Sequence, residues 1–270
     1  MELPAPISMF GSELRHLFES AAGALTSVCF PANCRLCKEL LVDARRVPVC
    51  HECLCSFAEI QPGSCDVCGL PCAFDPEFPK ERAICPDCEE HRFSFQLARS
   101  FGCYEGKLAR AVVLLKHEQI EPLGWWFSKR LAELVEKEAD RMQADVVVPV
   151  PLHRQRSRER GFNQVDLFGR PLAKQLGLPY QPVLLVRSRP RPEKHLLRSE
   201  ERWAAVRGAF AMRKRGRVDN LRVLLLDDVM TTGATLDACS RALHDAGAKS
   251  VIGLTIARAG RPISSFAATP

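Results

Sequence analysis

Residues 223–235 read VLLLDDVMTTGAT, and this stretch carries the strongest structural signal in the chain. With Arg222 before it, the stretch begins as a continuous apolar run, RVLLL, which is typical of a β-strand buried on both faces. Asp227 and Asp228 follow where that strand should end, and a short turn through Gly233 then leads into a helical pattern. Because open α/β sheets bind their ligands beyond the carboxyl ends of the strands, the stretch predicts a ligand site there.

The turn has the composition of a phosphate-binding loop. Thr231, Thr232 and Thr235 supply hydroxyl groups, and Gly233 lets the backbone approach a ligand closely. The helix N-terminus that follows adds backbone N–H groups that favour an anion, and the two preceding carboxylates suit ribose hydroxyls or a Mg²⁺ ion that those hydroxyls also contact. The pattern predicts a sugar-phosphate site and, lacking Gly-Lys-Ser/Thr, is not a Walker A loop. The alternative is that the Asp and Thr residues only cap the helix.

Strand and helix signals alternate along the chain after residue 95, where we expect a domain boundary. Apolar or β-branched runs predict the strands, and amphipathic spacing predicts the helices. This alternation is typical of an α/β domain built on a mainly parallel sheet. The expected strands are 145–150, 183–186, a short one near Phe210, 222–226 and 250–256, and the expected helices are 106–116, one beginning near Pro122, one capped by Asn163 and closed by Gly177, and 234–246.

Cysteines are concentrated in the N-terminal third of the chain. Eleven of the 13 lie between Cys29 and Cys88, in a stretch that is rich in proline and lacks regular periodicity. Two thiolates two residues apart can bind one metal ion, and two such pairs complete a tetrahedron. The spacing favours structural zinc, at one or two sites, over an iron–sulfur cluster or disulfides. The expected ligands form four CxxC pairs: Cys34 and Cys37, Cys50 and Cys53, Cys65 and Cys68, and Cys85 and Cys88.

The spacing leaves the pairing of these CxxC units open. They pair in series, the first with the second and the third with the fourth, or they cross over. A segment this irregular buries little apolar surface, so we expect metal to hold it together. Other side chains of the same stretch are alternative ligands for one of the sites: Cys29, His51, Cys55, Cys72 and His91.

Basic residues are concentrated in the second half of the chain. Residues 152–217 contain 17 lysine or arginine residues against five acidic ones, a local charge of +12 in a chain whose formal charge is +6. A block of this size predicts an anionic partner, such as the phosphates of a nucleotide, a sugar phosphate or nucleic acid, and the alternative is a solvated basic face.

Neither a membrane span nor a secretion signal is expected. No apolar run approaches the roughly 18 residues needed to cross a bilayer. Charged residues such as Glu13 and Arg15 interrupt the N-terminal region, where the spacing of residues 14–28 predicts an amphipathic helix instead. A reducing, cytoplasmic location is therefore expected, which agrees with cysteines that bind metal rather than form disulfides.

Taken together, these segments resemble the ComF family, in which a cysteine-rich zinc domain is joined to a type I phosphoribosyltransferase-like domain. Residues 223–235 resemble the phosphoribosyl-pyrophosphate signature of such domains. The resemblance extends over about residues 25–258. It also rests on the CxxC array, LLKH at 114–117, VVPVPLHRQRSRERGFNQ at 147–164, RPRP at 189–192 and RWAAVRGAF at 202–210.

The resemblance implies a role for each residue of the expected site. Asp227 and Asp228 would be the catalytic residues and would hold the ribose hydroxyls, and Mg²⁺ would accompany the substrate. The 5′-phosphate would bind at Thr231, Thr232, Gly233, Ala234 and Thr235, and the pyrophosphate at Pro151, Leu152, His153 and Arg154. Further cations within reach of phosphates would be Lys116, Arg156, Arg158 and Arg160.

The resemblance also implies how the chain is divided. Residues 190–202 would correspond to the mobile loop that covers the site, and His195 is the imidazole within that loop. An exposed loop residue and a general base are the two interpretations of His195. The expected divisions are an N-terminal helix at 1–28, a cysteine-rich domain of the double zinc ribbon type at 29–95, the phosphoribosyltransferase-like domain at 96–260 and a C-terminal tail at 261–270.

The functions that the resemblance implies are of three kinds. The first is a protein that binds phosphoribosyl pyrophosphate or a nucleotide with Mg²⁺ and acts in competence, where it handles incoming single-stranded DNA with DNA-uptake proteins. The second is a regulator that senses phosphoribosyl pyrophosphate without transferring it. The third is an active phosphoribosyltransferase, a glycosyltransferase in which an acceptor displaces pyrophosphate at the anomeric carbon through an oxocarbenium-like transition state.

Overall fold

The structure, a computed structural model, describes residues 32–41, 47–60, 63–72, 83–189, 199–213 and 216–260. Its backbone contacts divide the chain into two compact units, Met1–Ser56 and Phe57–Pro270. Three expected segments lie outside the described residues: the helix at 14–28, the tail at 261–270, and residues 190–198 of the covering loop, with His195.

The centre of the second unit is a parallel sheet. Its strands are β1 (Leu97–Cys103), β2 (Val146–Pro149), β5 (Arg222–Met230) and β6 (Ser250–Arg258), and a separate antiparallel pair is formed by β3 (Leu185–Arg187) and β4 (Phe210–Met212). The strand order is β1, β6, β5, β2, and every neighbouring pair is parallel. Residues 179–181 extend the sheet beyond β2, because the Val147 N–H donates to the Pro179 carbonyl at 2.9 Å. The expected α/β domain with a mainly parallel sheet is confirmed.

The described residues form eight helices. These are α1 (His51–Cys55), α2 (Pro86–Glu90), α3 (Gly106–Glu118), α4 (Glu121–Lys137), α5 (Arg154–Arg160), α6 (Gln164–Gln175), α7 (Ser199–Val206) and α8 (Ala234–His244). The sequence patterns predict α3, α4, α6 and α8 correctly, and the Asn163 side chain caps α6 by accepting the Val165 N–H at 3.2 Å. Within the described ranges, no helix combines the length and apolar character that a bilayer crossing requires.

Helices α4 and α6 pack closely against each other. Phe127 of α4 and Phe168 of α6 are completely buried. A Cβ atom on Gly124 would lie 2.6 Å from the Leu167 carbonyl oxygen, so glycine permits this close approach. Helix α8 packs instead with the core cluster that contains Val223, since Leu236 of that helix belongs to the same cluster.

Several of these elements are not visible in the sequence pattern. Strand β1 carries two buried polar residues, Arg99 and Ser100, which interrupt the apolar run that would have marked a strand. Their partners explain the burial: the Arg99 Nε donates to Glu138 Oε1 at 2.8 Å, and the Ser100 and Thr255 hydroxyls lie 2.6 Å apart. Helix α5 contains no apolar residue and so has no hydrophobic periodicity, and α7 was not expected either.

The cysteine-rich segment after Ser56 shares its core with the sheet. Cys65 and Cys88 belong to the same buried cluster as Val223. The Ala98 N–H of β1 donates to the Val67 carbonyl at 2.7 Å, so this segment also hydrogen-bonds along the edge of the sheet. The contacts therefore divide the chain at Ser56, whereas the sequence suggests a boundary near residue 95. The sequence gives no sign of this because an aperiodic segment does not reveal which core it joins.

Candidate functional site

A cavity of about 130 Å³ opens at the carboxyl ends of β2 and β5, where the sequence predicts the site. Residues 150–152, directly after β2, line it together with the end of β5 and the turn into α8. Four cationic side chains contribute to the same lining: Lys116 of α3, Arg156 and Arg160 of α5, and Arg187 of β3. The cavity thus combines carboxylates, a hydroxyl-rich turn and positive charge at one edge of the sheet.

The turn at 231–235 requires glycine at its centre. Gly233 has a φ of +80°, in the left-handed region, and precedes the first residue of α8. A Cβ atom there would lie 2.8 Å from Phe93 Cε1 and 2.9 Å from the terminal methyl carbon of Met230. Backbone conformation and crowding therefore both exclude a side chain, which agrees with a turn shaped to bring N–H groups to a ligand.

Asp228 lies at the centre of a polar network. Its carboxylate is mostly buried, with Oδ1 2.9 Å from Lys116 Nζ and Oδ2 accepting the Gln164 amide at 2.5 Å. The Gln164 Oε1 in turn accepts from Arg160 Nη1 at 3.0 Å. Because a cation and an amide donor each contact one oxygen of this carboxylate, Asp228 is held in a fixed orientation.

Asp227 occupies a different environment from its neighbour. Its Oδ1 accepts the backbone N–H of Asp228 at 2.8 Å, which fixes the local conformation at the end of the strand. Cys239 of α8 is fully buried nearby, and burial together with the charge of Asp227 raises the pKa of its thiol well above the usual value. The thiol therefore stays neutral and acts as a small apolar group near Asp227.

The arginines of α5 lie on two faces of the helix. Arg156 and Arg160, four residues apart, line the cavity and are half-buried. Arg154 and Arg158 are exposed and are not among the lining residues. One seven-residue helix therefore presents positive charge both to the cavity and to solvent.

Most of the residues expected at the site line the cavity, and three do not. The lining residues among them are Pro151, Leu152, Asp227, Asp228, Thr231, Gly233, Ala234 and Thr235. The others are Arg154, which is exposed, and His153 and Thr232, whose side chains accept backbone N–H groups where α5 and α8 begin. The His153 Nδ1 accepts the Gln155 N–H at 3.3 Å, and the Thr232 hydroxyl accepts the Ala234 N–H at 3.4 Å. His153 is the N-cap residue of α5, whereas the N-cap residue of α8 is Gly233 and not Thr232.

Three further residues of the cavity received no role from the sequence. Tyr104 directly follows β1, Gln164 begins α6, and Arg187 ends β3. The Arg187 guanidinium lies 5.0 Å from the centre of the Phe210 ring, and its Nε donates to the Arg189 carbonyl at 3.0 Å. Tyr104 and Arg187 lie at the ends of strands. Correct bounds for β1 and β3 would therefore have identified them as candidate site residues.

The eight CxxC cysteines come together as two groups of four. The first cysteine group is Cys34, Cys37, Cys50 and Cys53, and the second cysteine group is Cys65, Cys68, Cys85 and Cys88. Within each group all four sulfur atoms lie within 4.8 Å of one another. The pairing that the spacing left open is therefore in series, the first unit with the second and the third with the fourth.

The distances between sulfur atoms fit a single tetrahedral ion. In the second group, the Cys65 and Cys88 sulfurs are 3.6 Å apart, as are those of Cys68 and Cys85. Four sulfurs bound to zinc at about 2.3 Å would be roughly 3.8 Å apart. The Cys85 N–H donates to Cys65 Sγ at 3.4 Å, which is the kind of hydrogen bond that stabilises a metal-bound thiolate.

The first group has the same geometry. Its sulfurs are 3.9 Å apart between Cys34 and Cys53 and 3.7 Å apart between Cys37 and Cys50. The N–H groups of Leu36 and Cys50 donate to Cys34 Sγ at 3.4 and 3.3 Å. Both groups are thus compatible with zinc, which would supply a structural cross-link in each.

The alternative ligands lie apart from these groups. His51 and Cys55 contact each other, with Nε2 and Sγ 3.4 Å apart. Cys72 donates to the Leu70 carbonyl at 3.2 Å, and burial raises the pKa of its thiol to about 11. His91 stacks on Trp203, with ring centres 5.5 Å apart. Cys29 lies outside the described residues.

Comparisons with known proteins agree with this arrangement. Residues 167–264 match the family model described as Phosphoribosyl transferase domain. The chain is 29% identical over 224 residues to the DNA utilization protein YhgH of Salmonella typhimurium, covering 82% of this chain and 94% of the relative. It is 27% identical over 214 residues to Competence protein F of Haemophilus influenzae, covering 76% of this chain and 90% of the relative.

A solved adenine phosphoribosyltransferase from Thermoanaerobacter pseudethanolicus is also similar, at 18% identity and a TM-score of 0.32, over 49% of this chain and 79% of that chain. The family-model match begins within α6 and includes β5, the turn at 231–235 and β6. The two relatives cover most of the chain. Over most of its length the chain is therefore similar to proteins named for DNA utilization and competence, and it combines a phosphoribosyl transferase domain with two cysteine groups able to bind zinc.

Proposed function

We propose that the cavity at the end of β5 binds phosphoribosyl pyrophosphate together with Mg²⁺, and that the chain uses this ligand in competence or DNA utilization. One observation carries the proposal: the acidic pair Asp227 and Asp228, the turn at 231–235 and four cationic side chains meet around a single cavity. Each part matches a different part of the ligand. The relatives named for competence and DNA utilization supply the biological setting.

The turn and the acidic pair divide the ligand between them. The turn would hold the 5′-phosphate through its N–H groups and the hydroxyls of Thr231 and Thr235, with the start of α8 favouring negative charge. Asp227 and Asp228 would accept hydrogen bonds from the ribose hydroxyls. Because Asp228 is already oriented by Lys116 and Gln164, it would contact the sugar with little loss of side-chain entropy.

The pyrophosphate would be bound on the β2 side of the cavity. Pro151 and Leu152 line it there, and Arg156 and Arg160 point positive charge to the same cavity from α5. Mg²⁺ binds oxygen ligands and keeps several of its own waters, so pyrophosphate and ribose oxygens with a carboxylate of the acidic pair would hold it. When bound, Mg²⁺ would neutralise charge that builds on departing pyrophosphate.

Calorimetric titration of the full chain with phosphoribosyl pyrophosphate, with and without Mg²⁺, tests this proposal. We expect one ligand per chain with Mg²⁺ present, and at least about tenfold weaker binding by Asp228→Asn, because a charged hydrogen-bond acceptor is lost. Asp140→Asn, which changes an exposed residue beyond α4, is the matched control and should bind like the unmodified chain. Absence of binding by the unmodified chain would refute the proposal.

A second measurement separates an enzyme from a sensor. Release of pyrophosphate is followed in the presence of a panel of purine and pyrimidine bases. Acceptor-dependent release identifies a transferase, in which the bond from the anomeric carbon to pyrophosphate breaks and a bond to the acceptor forms. Binding without release for any base identifies a sensor.

A second function, binding of single-stranded DNA, is supported by the outer face of α5. Arg154 and Arg158 are exposed and lie outside the cavity, in the middle of the basic stretch 152–217. Arginines of this kind contact the phosphate backbone, and each contact to a single strand changes the salt slope by roughly 0.7. We expect Arg154→Ala with Arg158→Ala to lower the salt slope of DNA binding by about 1.4 and to leave phosphoribosyl pyrophosphate binding unchanged.

The inner face of α5 provides the matched control for the DNA experiment. Arg156→Ala with Arg160→Ala removes the same charge from the same helix, but from the cavity side. This variant should lose affinity for phosphoribosyl pyrophosphate more than affinity for DNA. Equal loss of DNA binding in both double variants would show that the two faces do not serve different ligands.

A further inference from the structure

Arg258 contacts both the turn at 231–235 and the second cysteine group. It is the last residue of β6, and its side chain is almost completely buried, with 5% exposed. Its Nη1 donates to the carbonyls of Thr231 and Ala259 in short hydrogen bonds and reaches the Met230 carbonyl at 3.4 Å. The guanidinium therefore holds the backbone at the point where β5 becomes the turn.

The other side of the same guanidinium faces sulfur. Its Nη2 lies 3.8 Å from Cys68 Sγ, one of the four sulfurs of the second cysteine group. Among the residues the structure describes, its Nε has no hydrogen-bond partner. A buried guanidinium is stable only when its charge and its N–H groups have partners, and carbonyl oxygens supply no negative charge. Among the contacts of this guanidinium, the second cysteine group is thus the source of negative charge.

A second set of contacts joins the same two regions. The chain that leaves the second cysteine group passes through Phe93, whose ring fills the space beside Gly233 in the turn. The next residue, Ser94, donates its N–H to Asp237 Oδ1 of α8 at 2.7 Å. The turn and the helix that follows it are therefore also contacted by the segment that leaves the second cysteine group.

We propose that metal binding at the second cysteine group controls the phosphate-binding turn, with Arg258 as the positioning residue between them. The inference rests on the proposed function, since it assumes that the turn binds the phosphate of a sugar phosphate. Four thiolates around Zn²⁺ carry a net charge of −2, which offsets the buried Arg258 cation. Loss of the ion releases the four sulfurs from their fixed positions, so the guanidinium loses a fixed partner on the side opposite the Thr231 carbonyl.

The coupling must act in both directions. If the metal raises the affinity of the turn for a phosphate, then the phosphate ligand raises the affinity of the second group for the metal by the same factor. Two measurements follow from one mechanism: ligand affinity before and after metal removal, and metal release with and without ligand. A residue that only supported the fold would weaken both equilibria without linking them.

The test compares the full chain with Arg258→Lys, which keeps the charge but loses the planar fork that joins sulfur and carbonyls. Zinc release to a chromogenic chelator is followed with and without phosphoribosyl pyrophosphate and Mg²⁺, using a chelator that does not bind Mg²⁺ appreciably. For the unmodified chain we expect the ligand to lower the equilibrium release of one of the two zinc ions, corresponding to a zinc affinity about fivefold or more higher. In Arg258→Lys, both ions should bind but the ligand should no longer change their release, and calorimetry should show weaker ligand binding.

Arg241→Lys is the matched control. Arg241 lies on α8, pairs with Asp237 at 2.9 Å and has a largely exposed side chain, so this variant should keep the ligand effect on zinc release. If the unmodified chain binds phosphoribosyl pyrophosphate but releases zinc equally with and without this ligand, the coupling is refuted and the proposed function stands. A ligand effect that persists in Arg258→Lys refutes the role of Arg258. If the unmodified chain does not bind the ligand, both proposals fail.

Discussion

Lys116 Nζ lies 2.9 Å from Asp228 Oδ1, and both side chains are nearly buried, with 12% and 10% exposed. The lysine comes from α3, and the aspartate comes from the end of β5, so the ion pair joins two elements at the rim of the cavity. An ion pair with so little exposure to solvent is stable only while both partners are present. The pair therefore orients the acidic residue before any ligand arrives.

Replacing Lys116 should affect both stability and ligand binding. Lys116→Met leaves the Asp228 carboxylate without its cation, and we expect a loss of about 2 kcal/mol in the free energy of unfolding. The double variant with Asp228→Asn removes the unpaired charge and should recover stability but not phosphoribosyl pyrophosphate binding. Denaturant unfolding and calorimetry measure the two effects. Lys129→Met, on the exposed side of α4, is the control, and an equal loss there would contradict the assignment.

Gly233→Ala should disable the turn. The new Cβ would lie 2.8 Å from Phe93 Cε1, and the φ of +80° is unfavourable for alanine, so we expect a loss of about 2 kcal/mol and no detectable binding of phosphoribosyl pyrophosphate. Gly177→Ala is the control, because Gly177 also has a positive φ, +67°, but nothing lies within 4 Å of its added Cβ. That variant should lose about 1 kcal/mol and bind ligand normally. Normal ligand binding by Gly233→Ala would contradict the role of the turn.

Metal content should follow the two cysteine groups. The unmodified chain, purified with zinc, is expected to contain two ions, and Cys34→Ser should contain one, because three thiolates do not complete the tetrahedron as well as four. Cys55→Ser should still contain two, since Cys55 is exposed and lies outside both groups. Elemental analysis of the three proteins gives the stoichiometry. Two ions in Cys34→Ser would show that the first group binds metal in another way.

Asp145 and Arg222 should make the stability depend on pH in the acidic range. Hydrogen bonds from Arg222 lower the pKa of Asp145 to about 2, from an ordinary value of 3.8. A lowered pKa in the folded state means that the contribution is present above about pH 4 and is lost as the pH falls to about 2. Both side chains are about one-third exposed, so Asp145→Asn should lose only about 1 kcal/mol at pH 7.

The control for this pH dependence is Asp219→Asn. Asp219 also pairs with an arginine, Arg217, but their side chains are 66% and 88% exposed, so its loss should leave stability nearly unchanged. The free energy of unfolding is measured between pH 2 and pH 7. The mechanism would be contradicted if Asp145→Asn lowered the free energy of unfolding by the same amount at pH 2 and at pH 7.

The parts of the fold with a strong local signal were predictable from the sequence. The apolar run before Asp227 marks a buried strand, and the threonines around Gly233 mark the turn, so the position of the site follows from about a dozen adjacent residues. The four CxxC pairs also follow from local spacing, although the grouping of the pairs does not. In each case neighbours in sequence carry the whole pattern.

The features that depend on distant residues were not predictable. Arg258 would be assigned to a solvated strand end, because nothing in its neighbourhood indicates that it meets Cys68, 190 residues away. Gln164 received no role, because its contact with Asp228 joins residues 64 apart. Strand β1 was missed because its buried polar residues find partners directly after α4 and on β6. Such contacts arise only when the elements pack.

The segment that carries the second cysteine group also protects one side of the sheet from other molecules. Strand β1 is the outer strand, and its Ala98 N–H and Phe101 carbonyl are hydrogen-bonded by Val67 and Ile60 of that segment. An outer strand without such a cover pairs readily with a strand of another chain. Zinc shortage during synthesis would therefore produce self-associating chains, and the yield of monodisperse protein would track the zinc in the growth medium.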